Sequence, residues 1–216
     1  MVLTFACNEF PPHKMEKSAD GLPGFDVEVL KQAFSYSNIN INVEYYPWKR
    51  ALENTKSGIV DGLCSCSKSQ GRDTWLAYSD QMGSVGIGHF YHPNHNKSDH
   101  FSPLSPTAVV RGYAIQNDLA YQGIKVIRVN NDKVGIRMLL NDRVKAFYSY
   151  RDTGKYILSK QPFDHHIEYS EARSSPYFTC ISKKRPDYPT LIDQFNTGLK
   201  QLHETGAYDA IMNKYR

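Results

Sequence analysis

The sequence predicts an α/β protein made of two similar units, each a mainly parallel sheet flanked by helices. Three observations lead there. Strand-like and helix-like segments alternate through the first half of the 216 residues. A second run of the same alternation follows. Between them lies a strand-like run, Gly86 to Tyr91, with no helix after it, which suits a hinge or crossover strand.

Each element has its own signal. Val2 to Cys7 reads as a buried strand. Pro11-Pro12 and Gly21-Leu22-Pro23-Gly24 punctuate a loop. From Phe25 to Ser37, Val27, Leu30, Ala33 and Phe34 recur at helical spacing. Asn40 to Tyr45 alternates as a half-buried strand does. Pro47 and Gly58 bracket a helix over Trp48 to Ser57, and Ile59 to Cys64 is the next strand. Such a β-α-β-α-β order implies a parallel sheet with right-handed crossovers. The second unit repeats it: strand Thr107–Val110, helix Ile115–Gly123, strand Lys125–Val129, helix Val134–Leu140, strand Val144–Tyr148 and helix Thr153–Leu158. The chain closes with a strand, Tyr177–Ser182, a helix carrying Leu191, Phe195, Leu199 and Leu202, and a last helix from Ala207 to Tyr215.

Composition narrows the function. The hydrophobic share of 40% supports a real core. No apolar run approaches the roughly 20 residues of a membrane span. A net charge of +4 with scattered basic residues excludes the basic stripe of a nucleic-acid binder. Met1 leads straight into a strand, so the chain is read either as cytosolic or as one whose signal peptide is absent.

The most chemically suggestive segment is Ser67-Lys68-Ser69-Gln70-Gly71-Arg72, with Tyr78-Ser79-Asp80 beyond it. Two hydroxyls and a guanidinium placed where a strand gives way to a helix suit a small anion. Arg offers a carboxylate a planar two-pronged donor, and a helix start adds backbone N–H groups. The plainer reading is that Ser67 and Ser69 cap the helix and Arg72 pairs with Asp73 or Asp80.

Four cysteines are present, Cys7, Cys64, Cys66 and Cys180. Cys64 and Cys66 are two apart on one strand, poorly placed to bond each other but each able to meet a neighbouring strand. Buried thiols and structural disulfides both remain open. His89, His92, His95 and His100 fall within twelve residues, in a segment rich in Asn, Lys, Ser and Asp that reads as a solvated loop. No metal or other cofactor is expected.

In order along the chain, several blocks together resemble one family. They are Asn8-Glu9-Phe10-Pro11-Pro12 with Gly24-Phe25-Asp26-Val27-Glu28-Val29-Leu30, Pro47-Trp48-Lys49-Arg50-Ala51-Leu52, and Gly58-Ile59-Val60-Asp61-Gly62. The Ser67-x-Ser69-x-x-Arg72 motif, Val110-Arg111-Gly112-Tyr113 and Thr205-Gly206-Ala207-Tyr208-Asp209-Ala210 complete the set. The chain resembles the type II periplasmic solute-binding proteins of family 3, which include amino-acid receptors of ABC importers.

The resemblance implies two α/β lobes joined by two hinge strands. Lobe 1 would hold residues 1–88 and 176–216, lobe 2 residues 89–175. Ligand would be caught between them by hinge closure. It implies a periplasmic, monomeric, non-catalytic receptor serving ABC transporter membrane subunits. Arg72 would grip a ligand carboxylate, helped by Ser65, Ser67 and Ser69. Phe10 and Trp48 would face the ligand, Glu9 would receive a ligand amine and Arg50 would be a second cation. In lobe 2 the turn at Gly112 and Tyr113 would offer backbone donors. Here the chain departs from the family: Tyr150 stands where amino-acid receptors carry an ammonium-binding Asp, and Lys145 replaces an earlier Asp. With 15 tyrosines in the chain, Tyr113, Tyr148 and Tyr150 suggest an aromatic wall. The expected ligand is a small carboxylate, amino-acid-like or aromatic. Two alternatives share the fold: a dehydratase of cyclic carboxylates, and the sensor domain of a signalling receptor. Against the sensor stands a chain that ends with its last helix and has no membrane segment.

Overall fold

A computed structural model describes residues 1–93, 106–162 and 166–215. The chain divides into two compact units, Met1–Ser84 with Pro176–Arg216, and Val85–Ser175. Two long strands, β4 (Leu76–Tyr91) and β8 (Glu168–Ser182), carry the chain from one unit into the other.

The first unit is built around β1 (Val2–Cys7), whose Leu3, Phe5, Ala6 and Cys7 are fully buried. A strand covered on both faces reads as a continuous apolar run, as this one does. On one side β1 pairs in parallel with β2 (Asn40–Tyr45), and on the other with β3 (Gly62–Cys66). The order continues through β8, antiparallel to β3, to β4. Helices α1 (Phe25–Ser35) and α2 (Trp48–Ser57) make the crossovers. Helix α1 buries Val27, Leu30, Ala33 and Phe34. It packs on α6 (Tyr188–Glu204), with the rings of Phe34 and Phe195 5.4 Å apart. The helices touch at Gly198, where a Cβ would lie 2.0 Å from the Ala33 carbonyl oxygen. A last helix, α7 (Ala207–Asn213), follows.

The second unit centres on β5 (Thr107–Val110), flanked in parallel by β6 (Val126–Val129) and β7 (Ala146–Tyr150). The second half of β4 runs antiparallel to β7, from Ile87 opposite Tyr150 to Tyr91 opposite Ala146. Helices α3 (Gln116–Tyr121), α4 (Asp132–Leu140) and α5 (Arg151–Ser159) link these strands. The Asn131 side chain caps α4, accepting from the Val134 N–H at 2.9 Å. Gly154 lets α5 approach the sheet, since a Cβ there would meet the Phe90 ring at 2.1 Å.

The alternating strands and helices, and the parallel pairing, agree with the sequence reading. Three details differ, and one open question is resolved. No helix follows Ser67 and Ser69. Residues 70–75 form turns, Gly71 sits at φ 77°, and the chain is extended again at Leu76. A helix needs φ near −63°, so Gly71 breaks the run, and neither serine caps a helix. Strand β3 begins at Gly62 rather than Ile59, because Asp61 is turned to accept the Thr4 N–H at 2.6 Å. The Gly86–Tyr91 run is the end of a 16-residue strand. Finally, all four cysteines are bridged, Cys7 to Cys64 and Cys66 to Cys180. Strand β3 lies between β1 and β8, so each of its cysteines meets a different neighbour. The free-thiol alternative falls.

Candidate functional site

Ligands of open α/β sheets bind outside the carboxyl ends of the parallel strands. In the first unit those ends deliver Phe10 after β1, Trp48 after β2, Ser65 near the end of β3, and Ser67 to Arg72 after it. Phe10, Trp48, Ser65 and Arg72 are all less than a tenth exposed. The Arg72 guanidinium donates to the Ser67 carbonyl at 3.1 Å, and its central carbon lies 5.7 Å from the Trp48 ring centroid. A guanidinium held by a hydrogen bond beside an aromatic ring is pre-organised for a planar anion.

A residue that sequence reasoning missed joins them. Phe10 and Lys14 exchange backbone hydrogen bonds, each 2.9 Å, closing a five-residue loop. The loop sets the Lys14 ammonium 4.9 Å from the Phe10 ring centroid and 5.6 Å from that of Trp48. Lys14 is 4% exposed and donates to the Ser65 hydroxyl at 3.0 Å. Ser65 in turn donates to Asp26 at 2.6 Å, and the His13 ring meets the other Asp26 oxygen at 3.3 Å. Burial works to raise the Asp26 carboxyl. The charges and hydrogen bonds of His13, Lys14 and Ser65 outweigh it and hold the group below the usual carboxylate range. The only hint in the sequence was a cation closing a loop that otherwise carries Phe10.

The remaining first-unit candidates make other contacts. The Glu9 carboxylate accepts the Glu16 N–H at 2.8 Å, and Arg50 is exposed on α2. Ser67 contributes its carbonyl to Arg72 rather than a cap, and the Ser69 carbonyl accepts the Arg72 N–H at 3.1 Å. The turn borders a depression of about 550 Å³ lined by Lys68, Ser69, Gln70, Gly71, Asp73 and Tyr78. Ser79 is structural: its hydroxyl accepts the Thr179 N–H at 3.0 Å.

In the second unit, Tyr113, Asp132, Ser149 and Tyr150 gather at the carboxyl ends of β5, β6 and β7. Asp132 is 2% exposed and accepts the Tyr113 hydroxyl at 2.6 Å and the Ser149 hydroxyl at 2.5 Å. The Tyr113 and Tyr150 rings meet edge-on at 5.2 Å, and Gly112 takes φ 84° in the turn before them. Tyr148 donates to Asp118 at 2.8 Å and packs on His89, ring centroids 4.5 Å apart. Burial, then the Asp118 carboxylate, pushes the Tyr148 phenol well up. The three tyrosines are thus buried and tied by hydroxyl bonds or ring contacts. Of the histidine run, His95 and His100 lie outside the described residues. His92 Nε2 meets the Leu139 carbonyl at 3.2 Å, and no metal-ligand cluster occurs among the described residues.

Comparison with known proteins decides the family. The family model for bacterial extracellular solute-binding proteins, family 3, matches residues 3–216. The chain belongs to this family. It is 22% identical over 222 residues to a protein named probable histidine-binding protein from Neisseria gonorrhoeae, covering 96% of this chain and 80% of that one. A solved ancestral arginine-binding protein bound to arginine superposes with a TM-score of 0.88 at 18% identity, covering 99% of this chain and 97% of that one. A histidine kinase sensor domain similar to periplasmic binding proteins gives a TM-score of 0.86 at 19% identity, covering 98% and 95%. The two structures establish a shared fold. Among the described residues, no helix is long and apolar enough to cross a membrane.

Proposed function

We propose that the chain is a periplasmic solute-binding protein that captures a small carboxylate-bearing ligand and hands it to an ABC importer, without catalysing a reaction on it. The observation that carries this reading is Arg72, 8% exposed, 5.7 Å from the Trp48 ring centroid and held by the Ser67 carbonyl beyond the carboxyl end of β3. A bidentate donor fixed against an aromatic face suits a carboxylate. Membership of an extracellular binding family supports the receptor role, and two disulfides support an oxidising compartment. With Tyr150 where amino-acid receptors of the family carry Asp, an α-ammonium would meet a phenol instead of a carboxylate. Hinge closure on the ligand and a monomeric state complete the proposal.

Thermal unfolding with a panel of amino acids, aromatic acids and simple carboxylates tests it. The ligand should raise the midpoint, and Arg72→Ala should abolish the rise. A variant that binds as tightly as wild type sinks the carboxylate assignment. Likeness to a kinase sensor domain supports a sensor as the second reading. Ligand-dependent stimulation of a reconstituted permease separates the two, since a sensor would show none.

A further inference from the structure

Lys14 and Arg72 both lie against the Trp48 ring. Its ammonium is 5.6 Å from the Trp48 ring centroid, and the Arg72 central carbon is 5.7 Å from it. Phe10 lies against Lys14 at 4.9 Å. Two cations sharing apolar walls do not suit an ammonium-bearing ligand, which both would repel. The buried carboxylate of this cluster, Asp26, is already engaged by Ser65 and His13. Lys14 is also placed rather than wandering. A lysine normally keeps its head in water, yet this one is 4% exposed and anchored by a 3.0 Å bond to Ser65. Asp26 holds that serine from the other side at 2.6 Å, which fixes the direction from which the ammonium donates. The two cations differ in kind. Arg72 is a planar fork for one carboxylate, and Lys14 is a point charge with three donors for another anion. Aromatic walls between them suit a short carbon chain rather than a bare phosphate.

We infer that Lys14 is a second anion-binding residue of this site and that its ligand is a small dicarboxylate, a refinement that rests on the carboxylate-receptor reading. Titration calorimetry on the full chain after exhaustive dialysis tests it. The probes are malonate, succinate, glutarate and adipate, the monomethyl ester of each, and inorganic phosphate. At least one diacid should bind roughly 10- to 100-fold more tightly than its monoester, the range of one charge-assisted hydrogen bond. Lys14→Met should erase that preference and Lys14→Arg should restore part of it. A monoester that binds as well as its diacid overturns the inference, and this comparison needs no variant to fold. Phosphate binding without diacid binding also overturns it. So does a Lys14→Met protein that keeps the preference while Arg72→Ala loses all binding, an outcome that leaves the carboxylate reading intact. Binding of no carboxylate at all strikes that reading itself.

Discussion

The two units place polar groups at the same topological position and solve the cost of burying them differently. The first unit uses formal charge. Lys14, Arg72 and Asp26 are each less than a tenth exposed, and Ser65 bridges Lys14 to Asp26. The second unit meets its most buried carboxylate with hydroxyls. Asp132 is satisfied by Tyr113 and Ser149, and Asp118 by Tyr148 with Arg173 at 2.8 Å. The first unit also holds both disulfides, whereas Val85–Ser175 contains no cysteine. A charged site demands rigid surroundings, since a buried charge that loses its partner is strongly destabilising. Cross-links from β3 to both of its neighbours flank Ser65 in the chain and supply that rigidity. A site closed by hydroxyl bonds tolerates more play.

Reduction should expose this contrast most strongly. Each bridge removed should cost about 2 to 5 kcal/mol. Both tryptophans, Trp48 and Trp75, lie in the first unit, so their fluorescence reports it alone. The tryptophan transition in urea should move to lower denaturant on reduction, while amide exchange of β5 and β7 stays slow. A tryptophan transition that does not move would end the claim that the bridges brace the charged unit.

Next in size is Asp26→Ala. Removing the carboxylate leaves the Lys14 ammonium buried without its indirect counter-charge, and the loss should be about 3 to 5 kcal/mol. Chemical denaturation measures it, and Lys14→Met placed on top should recover part. If the double variant is no better than the single, the charge-network account fails. Asp132→Ala should cost less, about 2 kcal/mol, because it orphans two neutral hydroxyls rather than a charge. A loss equal to that of Asp26→Ala would erase the distinction between the units.

The smallest effect is on pH. The folded Asp26 carboxyl lies below its ordinary value, which is about 4 in an unfolded chain. Its contribution is therefore fully present above that pH and is lost as the pH falls through the lower folded value. Melting temperature followed from pH 6 downward should drop less steeply for Asp26→Asn than for wild type. An acid limb that is equally steep would show that Asp26 is not the group responsible.

The candidate site was legible where it lies along the chain and opaque where it depends on neighbours. Phe10, Trp48 and Arg72 lie in or beside blocks that resemble the family, so the resemblance singles them out, and the structure places each beyond the carboxyl end of a strand in the first unit. Lys14 was invisible, because nothing in His13-Lys14-Met15 says that the chain doubles back from Phe10 and tucks an ammonium over Trp48. Glu9 and Arg50 carry the right chemistry in the sequence, but one is committed to the Glu16 N–H and the other points to solvent. The helix expected after Ser69 failed on a single residue, Gly71 at φ 77°. Cysteine pairing was likewise undetermined, since it rests on which strands flank β3.

By itself the sequence determined the alternation of strands and helices, the parallel sheets and the family. The first two follow from hydrophobic periodicity and from glycine and proline punctuation, which act over a few residues, and the family follows from the ordered motifs and the match over residues 3–216. Only the tertiary structure decided the bridges Cys7–Cys64 and Cys66–Cys180, the second cation at Lys14, and the hydroxyls that close over Asp132. Each joins residues from different elements, and the distance between two side chains is set by packing rather than by their separation along the chain.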